Sequence, residues 1–209
     1  MKATIKPHDK GTKQLFKNPF IEKLTRTHIG VPVSIFVIYS GALLYWSFTH
    51  TSLSVGVSSA MFVAGFVVFT WVEYQVHRHI FHMGTYTKWR EKTQYLIHGV
   101  HHDYPKDKDR LAMPPLASVT IGTVLLLLFR LIMGDFAFSF MPGFMIGYAF
   151  YLLIHYMVHA HQPPKNIFKW LWVNHSVHHY KDGKAVFGVT SPLWDFLYGT
   201  TASLPKVKD

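Results

Sequence analysis

Four stretches of this chain, Ile29 to Phe48, Leu53 to Val72, Leu116 to Met133 and Phe140 to Val158, run for 18 to 20 residues almost without charge. At a rise of about 1.5 Å per residue, a helix of that length crosses a hydrocarbon core of about 30 Å. The one charge inside them is Arg130. It lies near the end of its stretch, where its methylene stem can follow the helix and place the guanidinium among headgroups. With 49% hydrophobic and only 15% charged residues in 209, the chain is too apolar for an ordinary soluble domain. The expectation is a single all-α integral membrane domain with four transmembrane helices.

The formal charge of +10 would suit a nucleic-acid binder, but the basic residues segregate by side. Seven lie between Lys2 and Arg26, seven between Arg78 and Arg110, and six from Lys165 onward; the two short turns, 50–52 and 134–139, hold none. Positive residues collect on the cytoplasmic side. Both chain ends and the long middle loop are therefore expected in the cytoplasm, and no nucleic-acid partner is expected. Residues 1–28 read as a basic cytoplasmic tail and 29–209 as the membrane domain. The first apolar stretch is too long, and too far from the start, for a secretory signal. There are no cysteines, so a metal site here has only nitrogen and oxygen ligands.

Ten of the fifteen histidines fall in four clusters: His77 with His82; His98, His101 and His102; His155 with His159; and His175, His178 and His179. On the expected topology all four meet at one membrane face, forming a histidine-rich cytoplasmic cap. Both triplets have i, i+3, i+4 spacing, and His155 and His159 are i, i+4, so each set shares a helix face. His77 and His82 are five apart and diverge by about 140° on a regular helix. Spacing alone would pair His79 with His82. A lone pair at a water boundary is commonly a surface or core feature, but doubled triplets converging on one side point to metal.

Ligand number narrows the metal chemistry. A structural zinc takes four ligands and a catalytic zinc three plus water, so ten histidines exceed one zinc and fit two ions with open positions. No histidine is followed by glutamate, which removes the His-Glu-x-x-His protease motif. An oxygen-activating di-iron pair is the expected use, with zinc able to occupy the site on purification. A histidine-rich metal transporter would need polar ligands along a path through the bilayer. The spans hold no carboxylates and the histidines gather at one end.

The segments His98-Gly-Val-His-His102, Asp109-Arg-Leu-Ala-Met-Pro-Pro115 and Phe187-Gly-Val-Thr-Ser-Pro-Leu-Trp-Asp-Phe-Leu-Tyr-Gly-Thr200 resemble the fatty acid 2-hydroxylase branch of the fatty acid hydroxylase and sterol desaturase superfamily. The likeness runs from about Glu73 to Thr200. It implies two irons held by His77, His82, His98, His101, His102, His155, His159, His175, His178 and His179, with the first motif settling on His77 and His82. His79 and His161 are then extra, and His8, His28 and His50 uninvolved. The implied reaction is O2-dependent hydroxylation at carbon 2 of a fatty acyl chain, free or in a sphingolipid such as ceramide, that enters from the bilayer. A sterol or carotenoid hydroxylase or a desaturase is the alternative.

Many eukaryotic members carry a fused cytochrome b5 domain. No haem or flavin domain is recognisable in this sequence, so electrons are expected from a separate donor such as cytochrome b5 or ferredoxin. A bacterial inner membrane or an endoplasmic reticulum fits the resemblance. Tyr104, Arg110, Tyr156, Asn174, Tyr180 and Trp194 are candidate substrate contacts, chosen for polar or amphipathic character near the clusters, though such residues also form interfacial belts. Glu73 and Asp195 are candidates to orient histidines by accepting the second ring proton.

Overall fold

The computed structural model describes residues 7–202, and every regular element among them is helical. In chain order these are α1 (Pro19–Leu24), α2 (Gly30–His50), α3 (Val55–Val76), α4 (Lys88–Gln94), α5 (Val100–Asp103), α6 (Pro115–Met133), α7 (Ala137–Ala160), α8 (Lys169–Tyr180) and α9 (Leu193–Leu197). Single π turns at His77–Phe81 and Tyr95–Gly99 extend α3 and join α4 to α5.

Three helical stretches among the described residues are long and apolar enough to cross a membrane: Gly30–His50, Val55–Phe81 and Lys108–Ala160. The third is 53 residues long and contains both α6 and α7. These two lie antiparallel, because Phe129 meets Phe140 at 5.0 Å while Gly122 faces Met145. The four-crossing expectation therefore corresponds to three continuous stretches, the last folded back on itself at Gly134–Phe136.

Helix α7 is the hub. It runs parallel to α3, with Gly143 against Phe62 and Gly147 against Phe69, and antiparallel to α2, with Ser40 against Pro142 and Ser47 against Ser139. Small residues let the backbones touch. A Cβ at Gly143 would lie 1.8 Å from the Phe62 carbonyl oxygen, and one at Gly65 would lie 2.0 Å from that of Phe140. Between α2 and α7, the Ser47 and Ser139 hydroxyls bond each other at 2.7 Å and the Ser40 hydroxyl donates to the Pro142 carbonyl. Small residues and interhelical hydrogen bonds are what hold helices together where lipid removes the hydrophobic drive. Outward, the bundle presents Ile38, Tyr45, Leu131 and Ile132 at 71, 68, 83 and 76% exposure, which water would penalise and lipid would not.

Because α3 and α7 are parallel, their C-terminal ends coincide. There α4, α5 and α8 cap the bundle. Residues 7–28 cross this cap as a strap: the His8 amide donates to the Asp103 carbonyl, Lys106 pairs with Asp9, and the Thr27 amide donates to the Asp109 carbonyl. Arg110, whose side chain is 4% exposed, reaches the strap through Glu22 at 2.5 Å, Thr25 at 2.8 Å and the Lys13 carbonyl at 2.9 Å. Burial alone would raise the Glu22 pKa. The amides of Phe16 and Leu15, the Arg26 side chain and the Arg110 charge outweigh it and hold the carboxyl down to about 2.

Leucine at position 143 should drive α3 from α7 and cost more than the ~1–3 kcal/mol of ordinary overpacking. At Gly41 nothing lies within 4 Å of a new Cβ. Thermal unfolding in detergent should therefore show a large loss of midpoint for Gly143→Leu and almost none for Gly41→Leu; equal midpoints would contradict the packing described.

Candidate metal centre

The ten clustered histidines come together and divide into two sets of five. His77, His82, His98, His102 and His178 form one; His101, His155, His159, His175 and His179 form the other; within each, one ring nitrogen per residue lies within 4.8 Å of all the rest. Each triplet is split. His98 and His102 go to the first set and His101 to the second, while His178 goes to the first and His175 and His179 to the second. The sets touch where His102 stacks on His179 with centroids 4.2 Å apart.

The five-residue gap from His77 to His82 is accommodated by the π turn. The His82 amide donates to the His77 carbonyl at 3.1 Å, an i to i+5 bond that widens the turn until residues five apart share a face. His79 stays outside both sets. So do His161, at the C-terminal cap of α7; His8, stacked on Tyr104; His28, whose Nδ1 caps the Gly30 amide; and His50, stacked on Trp46.

Tautomers follow from the neighbours. His77 Nδ1 bonds the Phe187 carbonyl at 2.5 Å, and His178 Nδ1 bonds the Ala185 carbonyl at 2.8 Å. A carbonyl only accepts, so each Nδ1 carries the proton and each Nε2 offers a lone pair inward. His98 Nε2 then sits 3.2 Å from His77 Nε2 and 3.0 Å from His102 Nε2, and His178 Nε2 sits 2.9 Å from His82 Nε2. In the second set the pairs His155 with His101 and His175 with His159 stand at 3.0 and 2.7 Å. Both nitrogens of buried His179 lack a protein partner. Facing lone pairs repel unless a cation lies between them. Metal–imidazole bonds of about 2.1 Å put neighbouring ligand nitrogens about 3 Å apart, close to the 2.7 to 3.2 Å of the pairs here. The residues fit two metal ions.

The carbonyls that set these tautomers belong to the loop 185–190. Glu73 and Asp195 do not accept from histidine, contrary to the sequence expectation; they hold this loop instead. Glu73 takes the amides of Val189 and Thr190 at 2.7 and 3.0 Å, and Asp195 takes those of Phe187 and Gly188 at 2.8 Å each. Gly188 is required for that approach, since a Cβ would lie 2.8 Å from Asp195 Oδ2. Val186 between the two carbonyls has φ 57, a left-handed conformation that a β-branched residue adopts only under constraint.

An apolar cavity of about 790 Å³ opens beneath both sets, and His77, His98, His101 and His155 form its head. Its walls are α2, α3, α6 and α7, with Phe69, Val72, Ile121 and Leu152 among them. A second, more polar cleft of about 560 Å³ reaches His159, His175 and His179 from the other side.

Of the six residues picked from sequence as substrate contacts, Arg110 borders the apolar cavity, but its guanidinium is taken by the strap. Tyr180 borders the polar cleft. Tyr104 stacks on His8, Tyr156 lies under Lys108, Asn174 is half-buried on α8, and the Trp194 indole donates to Thr70. Sequence reasoning missed Tyr148 and Tyr151, which line the cavity; Tyr151 stacks on His155 with centroids 5.4 Å apart. The signal was the spacing 148, 151, 155, 159 on one face of α7.

Burial pushes the His178 pKa from 6.5 down to about 4, opposed in part by the Ala185 carbonyl and Asp182. Burial and the neighbouring His178 charge push His82 down to about 3. Below pH 6.5 the unfolded chain takes up protons that the folded chain refuses, so stability is full above 6.5 and declines toward pH 4 for His178 and toward pH 3 for His82. A thermal midpoint level between pH 7 and 8 and falling below about 6.5 is expected; a midpoint unchanged to about pH 5 would refute neutral burial. Asp195→Ala strands the Phe187 and Gly188 amides and should cost about 1–3 kcal/mol for each, read by denaturation of the purified protein.

The fatty acid hydroxylase family profile matches residues 62–200. A dihydroceramide fatty acyl 2-hydroxylase of Arabidopsis thaliana is 34% identical over 93% of this chain and 81% of its own length. The human fatty acid 2-hydroxylase is 32% identical over 93% of this chain, which spans 58% of that relative. A solved structure of full-length scs7p, with its hydroxylase domain visible, superposes with a TM-score of 0.79 at 33% identity, covering 95% of this chain and 76% of that one. With the metal-ready histidine nests and the apolar cavity beneath them, these likenesses establish that the chain belongs to the fatty acid hydroxylase family.

Proposed function

We propose that this chain is a membrane-bound hydroxylase that places a hydroxyl group on carbon 2 of a fatty acyl chain, free or within a ceramide. The observation that carries the reading is the position of four histidines, two from each set, at the head of a cavity whose walls are otherwise almost wholly apolar. The named activities of the plant and human relatives support it.

Each five-histidine set holds one metal ion, iron in the working enzyme. Such a pair supplies activation of O2 with electrons from a donor. The protein's own part is position and dryness. Phe69, Val72, Phe144 and Leu152 exclude water and hold the alkyl chain along the bundle, so that one carbon stands beneath the histidines while the rest extend away. Tyr148 and Tyr151 put hydroxyl-bearing rings on the same wall. The loop carbonyls of Phe187 and Ala185 keep His77 and His178 in the tautomer whose Nε2 faces inward.

In this reading α2, α3, α6 and α7 make four crossings with the histidine end in the cytoplasm, where the Lys and Arg residues collect. A protein electron donor of the cytochrome b5 or ferredoxin kind, acidic on its docking face, is steered to that basic side.

Lipids from cells supplied with a competent donor and expressing the wild type should contain 2-hydroxy acyl chains, and those from His178→Ala cells should lack them, as read by mass spectrometry. Identical lipids in both would refute the hydroxylase; a hydroxylated ring or a new double bond would assign it to sterol, carotenoid or desaturase chemistry instead. Metal analysis tests the division of ligands. His82→Ala and His159→Ala should each fall from about two ions per chain to about one, and the double variant to near none.

A further inference from the structure

The wall of the apolar cavity descends α7 from His155 through Tyr151, Tyr148 and Met145 to Met141. At about 1.5 Å per residue, Met145 lies ~15 Å and Met141 ~21 Å along the helix from His155. At the level of Met145 the opposite wall, on α6, is Gly122. A Cβ there would stand 3.2 Å from Met145 Cε and 3.7 Å from Phe36 Cε1. All three residues line the cavity, whose lining continues past them to Leu125 and Met141.

Gly122 differs from the glycines that bring helices together. At Gly65 and Gly143 an added Cβ strikes backbone at 2.0 and 1.8 Å. At Gly122 it meets only the ends of two side chains, both beyond 3 Å. Helix approach therefore does not require glycine at this position. A side chain there would instead project toward Met145 and Phe36 at the cavity lining.

We propose that Gly122, with Met145 and Phe36, gauges the length of the acyl chain. The tail of a long chain passes Gly122 and occupies the deeper part of the cavity beside Leu125 and Met141. A side chain at 122 closes that passage and leaves the part nearest the histidines open. The proposal rests on the hydroxylase reading, because it assumes that the cavity holds an acyl chain with its reacting end at the histidines.

The test compares the wild type with Gly122→Ala, Gly122→Leu and Gly122→Leu/Met145→Ala. Two chain-length distributions are read by mass spectrometry: that of the 2-hydroxy acyl products, and that of the acyl lipids that copurify with each protein. Gly122→Leu should lose about tenfold or more of its longest products while its shortest stay within about twofold, with Gly122→Ala between it and the wild type. The double variant, which returns volume at the same level, should recover the long chains. The same product distribution in wild type and Gly122→Leu, or an equal loss at every length that Met145→Ala does not reverse, overturns the gauge. A wild type that makes no 2-hydroxy product overturns the hydroxylase reading; the gauge is then decided by the copurifying lipids, which must shorten in Gly122→Leu if it is right.

Discussion

Everything in this protein is organised by ten imidazoles gathered in one largely buried space. Burying one such ring costs little. Burying ten with their lone pairs turned toward each other is unfavourable unless a cation enters each group, so the cap is shaped for metal. The rest of the fold serves that confinement: parallel α3 and α7 bring two pairs of histidines to one end, and the π turn at Tyr95–Gly99 with α5, and α8, lay a triplet over each. The loop 185–190 then fixes the ring protons at His77 and His178 with its own carbonyls.

Splitting each triplet between the two sets gives this arrangement its rigidity. Residues at i and i+4, His98 and His102 or His175 and His179, belong to one set, and the residue between them to the other. Rotation of α5 or α8 about its axis would therefore disturb both sites together. The cavity gains from the same design, since both sets contribute to its head and a chain lying in it is bounded by histidines of each.

The apolar runs made the helices legible in the sequence, and the histidine spacing made the gathering of the clusters legible. The limits were set by backbone geometry and by long-range partners. The five-residue step from His77 to His82 contradicts a regular helix, and only the i to i+5 bond reconciles it. Which triplet member serves which set depends on packing between α5 and α8, to which spacing is blind. Glu73 and Asp195 were recognisable as supports but not by target, because the amides that donate to them lie 116 and 8 residues away and leave no pattern in composition. The strap was invisible for a related reason: its anchors pair residues such as Glu22 and Arg110 that are 88 positions apart.

That strap bears on the order in which the molecule is assembled. Leu15, Phe16 and Thr25 leave the ribosome long before the cavity they border exists. The strap's anchors at Asp103, Asp109 and Arg110 are made only after the first two long helices, and the α7 wall of the cavity later still. The earliest synthesised part of the described chain is thus among the last to settle, and a bulky fusion placed ahead of it would burden the closing step while leaving the helical bundle untouched.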